Sequence, residues 1–259
     1  MLKNKTSFFI VTSLIAIILD LVDKDFKWHD IIVEYHGLVF DLIVLGIILT
    51  LYENFKDKKD KISEYHTKID DIRSWESDES THKIVSYINR LYELDETKFN
   101  LSNCFLKYAN LSEFNFSKSI FFNAKLYGAN FLRSNLSHCK LGLADLTETS
   151  LNGTNFNEAD LFHSILQSAT IINCDFTNAN LQHANLKGSR IIGSTFSNAN
   201  MKYCLLEKVI VYDFNWFEYL KSCNVIGIEW LEQNYYIEIN SLERDEIGEF
   251  WEICKKTSL

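Results

Sequence analysis

TNANLQHANL, residues 177–186, holds Ala-Asn-Leu twice, five residues apart. Helix faces recur every 3.6 residues and strand faces every 2.0, so a strict five belongs to neither. The same register extends in both directions, from Leu101 to Trp216, and all 24 of its fifth positions are large and apolar. Two residues before these centres, the positions from Cys104 to Cys204 hold only Ala, Ser, Cys or Thr, Phe114 excepted. Sorted by fours, one set of centres is all leucine: Leu106, Leu126, Leu146, Leu166, Leu186 and Leu206. Another reads Phe116, Leu136, Phe156, Phe176, Phe196 and Trp216. Like residues at i, i+20 are what a stacked coil needs, because each turn touches only its neighbours. Twenty-four repeats predict six turns, and ~4.8 Å per stacked strand predicts a column about 29 Å long.

This register resembles the pentapeptide-repeat family, whose pattern is A-(D/N)-L-x-x. The resemblance implies an all-β core over 99–216: a right-handed quadrilateral β-helix with the large centre and the small residue pointing inward. It places Cys104, Cys139, Cys174 and Cys204 at small inward positions, where a thiol acts as a small hydrophobe.

Outside the column the chain changes character. Ser7–Val22 and Gly37–Tyr52 are apolar stretches with one charge each, Asp20 and Asp41. They read as the two spans (7–22 and 37–52) of a transmembrane α-hairpin within residues 1–55, although sixteen residues is short of the ~20 that cross a bilayer. Lys3 and Lys5 precede the first; Lys56, Lys58, Lys59 and Lys61 follow the second. The positive-inside rule then sets both termini and the column in the cytoplasm, at the inner membrane of a bacterium. Asp20 and Asp41 are candidate functional groups because an ionisable side chain within a span is costly. Residues 56–98 read as a helical linker and N-terminal cap. Phe55, Ile62 and Ile69 stand seven apart, with Tyr65 and Ile72 three after two of them, a heptad too short for a coiled coil that reads as a continuation of the second span, with self-association as the alternative. ESDEST starts a second helix with Ile84, Ile88, Leu91 and Tyr92 on one face, suited to cover the first turn. Residues 217–259 read as a small α+β cap: helix, turn, helix in FEYLKSCNVIGIEWLEQ, then a hairpin around ERDEIGE. The tail resembles the closing segment of membrane-anchored bacterial pentapeptide proteins.

Charge and motifs exclude several functions. The ends are acidic, while the column carries 9 basic and 8 acidic groups, so no basic footprint for nucleic acid exists. The six cysteines show neither CxxC nor zinc-finger spacing, and no phosphate loop, nucleophile elbow or HExxH occurs. His163 and His183 stand twenty apart on one outward ladder without a third ligand. The expectation is a protein with no enzymatic activity, cofactor, metal or small-molecule substrate. The apolar outward positions are its candidate partner surface: Leu132, Ile172, Ile192 and Tyr212 on one face, Phe122 and Phe162 on another. The C-terminal tail is the competing cover for Ile192 and Tyr212. The function expected is a membrane-tethered interaction scaffold for a cytoplasmic protein. Two alternatives stand beside it: an oligomerising membrane effector, and a DNA mimic that binds a topoisomerase, for which a near-neutral column is poorly charged.

Overall fold

The computed structural model describes residues 28–245 and 248–256, with backbone alone for 28–38 and 240–249. In chain order the elements are α1 (Trp28–Ile72), α2 (Asp78–Glu93), a coil carrying the short strands β1 (Thr170–Ile172), β2 (Arg190–Ile192) and β3 (Val209–Val211), then α3 (Trp216–Ser222), α4 (Ile228–Asn234), β4 (Tyr235–Asp245) and β5 (Gly248–Lys255). The chain divides into two units, 1–60 and 61–259.

The coil advances twenty residues per turn. Parallel bridges join Asn100 to Ile120, Phe105 to Lys125, Asn110 to Asn130 and Asn115 to Asn135, and continue in that step along the column. Within a repeat the centre donates to the next turn and the residue before it to the previous one: Leu126 N–H to Asp145 O (2.8 Å), Lys125 N–H to Cys104 O (2.9 Å). Each corner is a β-turn closed from the small residue to the centre, as Ala124 N–H to Phe121 O (3.0 Å) shows. Its third residue is left-handed, with φ between 53° (Asn123) and 69° (Gly153). Such a φ costs an L-residue about 1 kcal/mol or more, so it persists only where the surrounding hydrogen bonds over-determine it. The twenty-residue sort is visible in the core: Phe156 and Phe176 stack at 4.9 Å and 2°, Phe176 and Phe196 at 5.1 Å and 7°.

The coil register ends at Val211 rather than at residue 216, a little over five and a half turns from Asn100 instead of six. Asp213 ends it: its carboxylate accepts from Asn215 N–H (2.8 Å) and its carbonyl from Trp216 N–H (3.1 Å), which starts α3. Trp216 keeps its place against Phe196 (6.1 Å) but as a helix residue.

Both ends of the column are closed. At the first turn, Ile84, Ile88 and Leu91 of α2 are fully buried, and Ser77 caps the helix by accepting from Ser80 N–H. Ile62, Tyr65, Ile69 and Ile72 of α1 join the same core, and Tyr65 stacks on Tyr87 of α2. The heptad of the linker is thus a continuation of the second apolar stretch within one helix, as expected, and an internal face rather than the alternative seam for self-association; only Phe55, its first member, stays exposed. Arg73 closes the strand edge: its guanidinium donates to Ser102 O (2.7 Å) and Asn100 O (3.3 Å), and its carbonyl accepts from Phe105 N–H. At the other end Ile226 bridges Asn200, and Gly227 brings α4 over the last turn. The β4–β5 hairpin then joins the wall of β1, β2 and β3, giving the order β1-β2-β3-β5-β4.

The expected transmembrane hairpin fares differently. Its first span, 7–22 with Asp20, lies outside the described residues. Its second, 37–52, is part of the 45-residue helix α1. Among the described residues no helix is long and apolar enough to cross a membrane. Between Asp41 and Glu53 only the segment Leu42–Tyr52 is uncharged, and at ~1.5 Å per residue it reaches about half of a ~30 Å hydrocarbon layer.

Small polar residues inside the column donate to a carbonyl of the turn before, as Ser134 Oγ to Leu111 O (2.6 Å) and Thr154 Oγ1 to Phe131 O (2.8 Å), or of their own corner, as Thr149 Oγ1 to Leu146 O (2.7 Å). Ser189 is equally buried, yet its hydroxyl has no hydrogen-bond partner among the described residues. Replacing Ser189 by Ala is expected to raise unfolding free energy by about 1 kcal/mol, whereas Ser134→Ala lowers it by a similar amount, read by thermal or denaturant melting. Gly227 has φ 94°, and a Cβ there would lie 2.6 Å from Lys202 Cα. Gly227→Ala is expected to lower the melting midpoint and to raise proteolysis of 212–256 selectively.

Candidate interaction face

Every repeat sends three kinds of residue outward: the one after the centre, the left-handed one, and the one before the centre, which in many repeats is Asp or Asn. The last kind has a structural task. Asn110, Asn130, Asn155, Asp145 and Asp160 each accept through Oδ1 from the backbone N–H two residues on, at 2.8–3.4 Å. That is an Asx turn, which holds the corner open for its left-handed residue. Neighbouring turns also join through these side chains, as in Asn135 to Asn115 (3.0 Å) and Asn180 to Asp160 (2.9 Å). Burial alone would raise the carboxyl of Asp175, but donation from the Thr177 hydroxyl and N–H and the Thr195 hydroxyl outweighs it and holds the group below the usual carboxylate range.

The six candidate partner residues separate into two groups. Leu132, Ile172, Ile192 and Tyr212 are all half-buried, and the chain itself uses the C-terminal part of their face. Phe250 of β5 meets Tyr212 edge-on (5.3 Å) and lies over the Arg190 guanidinium (4.2 Å). The tail therefore covers Tyr212, as its competing reading had it. Phe122 and Phe162 are exposed, at 46% and 39%. Asp41 is exposed on α1 and far in sequence from either group.

Phe122 and Phe162 belong to a longer stripe. The Phe122 ring lies over Gly142, where a Cβ would meet it at 3.5 Å, and the small residue lets the surface run on to Phe162. Phe162 stands edge-on to His163 (4.4 Å), which stacks on His183 (4.6 Å, 6°); His183 stacks on Tyr203 (4.9 Å), and Tyr203 meets Trp230 of α4 edge-on (5.4 Å). Leu143, 45% exposed, continues the histidine ladder below, and Ile165 adds a partly exposed side chain at the corner. Lys125 beside Asp145 and Lys140 beside Asp160, each pair one turn apart, give the stripe a mixed polar rim. Leu143, Ile165, Tyr203 and Trp230 were not among the sequence candidates. The ladder Leu143, His163, His183, Tyr203 is readable at i+20, but only if each corner is credited with two outward residues.

The arrangement offers little to catalysis. Cys139, Cys174 and Cys204 donate through Sγ to Phe116 O, Leu151 O and Leu181 O, at 2.8–2.9 Å. Burial pushes the thiols of Cys104, Cys139 and Cys174 up to about 12 and that of Cys204 higher, so these sulfurs stay protonated and unreactive. Among the described residues no group of three or more His, Cys, Asp or Glu is placed to hold a metal ion. The stacked rings of His163 and His183 spend their faces on one another.

Comparison with known proteins bears on the column. A family model described as pentapeptide repeats (8 copies) matches residues 100–137, 129–167, 139–178 and 174–210. Three solved structures are similar to it. HetL, a pentapeptide repeat protein involved in heterocyst differentiation regulation from the cyanobacterium Nostoc sp. strain PCC 7120, is 28% identical over 48% of this chain and 52% of its own, with a TM-score of 0.44. The match thus spans about half the length of HetL. Rfr23 from the cyanobacterium Cyanothece 51142 is 29% identical over 49% of this chain and 99% of its own, with a TM-score of 0.44. QnrB1, a plasmid-mediated fluoroquinolone resistance protein, is 20% identical over 46% and 68%, with a TM-score of 0.33. No curated protein matches this chain.

Proposed function

We propose, on the premise that residues 100–210 place this chain in the pentapeptide-repeat family, that it is a non-enzymatic interaction scaffold whose binding face is the stripe from Phe122 to Trp230. The observation that carries the reading is the exposure of Phe122, Leu143 and Phe162 on a face that the C-terminal hairpin does not use. A contiguous apolar patch with a polar rim marks a contact site. Its rings are held against each other and against a hydrogen-bonded coil, so little side-chain entropy remains to be lost on binding. The partner is a protein presenting an apolar surface of matching length.

The scaffold is tethered at a bacterial inner membrane, with the column on the cytoplasmic side. What supports this part is α1, where Phe40, Leu42, Ile43, Leu45, Ile47, Ile48, Leu49 and Leu51 are all exposed. Lys56, Lys58, Lys59 and Lys61 follow directly, the arrangement favoured on the cytoplasmic side. A DNA-mimicking role is disfavoured by charge, since 9 basic groups offset 8 acidic ones in the column.

Crosslinking from native membranes tests the face. One cytoplasmic protein recovered with the intact chain should be lost with Phe122→Ser, Phe162→Ser and kept with Ser117→Lys on the polar face. Both variants should melt within about 0.5 kcal/mol of the parent, as exposed substitutions do. Retention of the partner by the double variant would sink this assignment. For the tether, removal of residues 1–52 is expected to shift the protein from floated membranes to the supernatant; persistence in the membrane fraction would refute it.

A further inference from the structure

The five-stranded sheet ends at β4, and the phase of its hydrogen bonds shows what that edge presents. Lys256 N–H donates to Asn234 O (2.8 Å), and β4 pairs with β5 as Tyr236 with Cys254, Glu238 with Glu252 and Asn240 with Phe250. Tyr236, Glu238 and Asn240 therefore turn their main chain toward β5. Tyr235, Ile237 and Ile239 turn theirs away from it. Tyr235 N–H is taken by Leu231 O of α4. No described residue hydrogen-bonds the Tyr235 carbonyl or the N–H and carbonyl groups of Ile237 and Ile239. Elsewhere the column is careful of its edges: Arg73 closes one end and Ile226 the other. A bulge between Asn240 and Arg244 limits the open run to Tyr235–Asn240.

Side chains on the two faces of this edge differ. One face carries Tyr235, Ile237 and Ile239, buried, half-buried and exposed in turn. The other carries Tyr236 and Glu238, and Glu238 lies directly opposite Glu252 on β5. The Glu238 carboxylate accepts from Cys254 Sγ at 3.0 Å. The Glu238 carboxylate also holds the Tyr236 phenol above its usual range. At the start of the strand Lys255 pairs with Tyr235, and Lys256 donates to Glu232 O.

We infer that the outer edge of β4, Tyr235–Asn240, is a second binding site, which adds an extended strand of a partner protein whose side chains alternate apolar residues with Lys or Arg. The added main chain completes the hydrogen bonds of Ile237 and Ile239. Its apolar residues continue the face of those isoleucines, and its cations stand beside the exposed Glu238. A second copy of β4 is the poorer occupant, because Tyr235–Asn240 contains no Lys or Arg to stand beside Glu238.

Fluorescence anisotropy with the full chain tests this, using seven-residue peptides that alternate Val with Lys or Val with Glu. The Val/Lys peptide is expected to bind at least tenfold more tightly. N-methylation of its edge-facing amides, or Ile237→Pro in the protein, should each cost at least tenfold; proline is tolerated there because the lost N–H points outward. Glu238→Lys should reverse the peptide preference, and Phe122→Ser should leave it unchanged, which separates this edge from the aromatic stripe. Equal binding of the two peptides, or indifference to N-methylation, would overturn the inference. So would a dimer that Ile237→Pro dissolves, since the edge would then belong to a second copy. If Ile237→Pro does not fold, the methylated peptide and Glu238→Lys decide.

Discussion

A parallel backbone ladder with a step of twenty residues is the constraint on which the rest of this protein depends. An interior repeat donates from its centre and its left-handed residue to the turn ahead and from the residue before its centre to the turn behind, so no repeat is stable alone and every interior one is held from both sides. This mutual support allows a left-handed residue at every corner, most of them not glycine. Asn and Asp side chains add local support by accepting from the turn they precede. The dense core follows: rings and leucines meet their own kind on the next turn, and serine, threonine and cysteine meet a carbonyl.

A ladder of this type has two open ends and a few edges, and the accessory elements are placed accordingly. Arg73, Thr81 and α2 occupy the first turn, with Thr81 Oγ1 donating to Phe105 O at 3.0 Å. The C-terminal helices close the last turn, and the hairpin continues one wall by two strands. Their cost is a changed use of surface: the face of Ile192 and Tyr212 is partly spent on the chain's own tail. The aromatic stripe on the Phe122 face and the edge of β4 remain open to partners, one through apolar contact and the other through main-chain pairing. These are different chemistries, and a scaffold with both could hold two proteins at once.

Much of this was legible in the residues. The period of five, the stacking of like on like at twenty, the inward thiols, the helix start in ESDEST and the helix-turn-helix and hairpin of the tail all follow from local pattern. The end of the coil did not, because Trp216 satisfies the apolar register even as Asp213 diverts the backbone into α3. The heptad of α1 was legible as a continuation of the second apolar stretch but not in what it touches, because spacing does not say what Ile62 and Ile69 pack against. The candidate face was half legible. Phe122 and Phe162 were visible as outward apolar residues, whereas their continuity with His163, His183, Tyr203 and Trp230 required knowing where α4 comes to rest.

The sequence by itself determined the coil: its period, its inward and outward positions and which residues stack, because each is set by near neighbours and by a repeat that recurs at fixed separation. Only the tertiary structure decided which outward residues are available. That depends on caps and a hairpin folding back across dozens of residues, where burial is a property of the assembled surface and no local pattern records it.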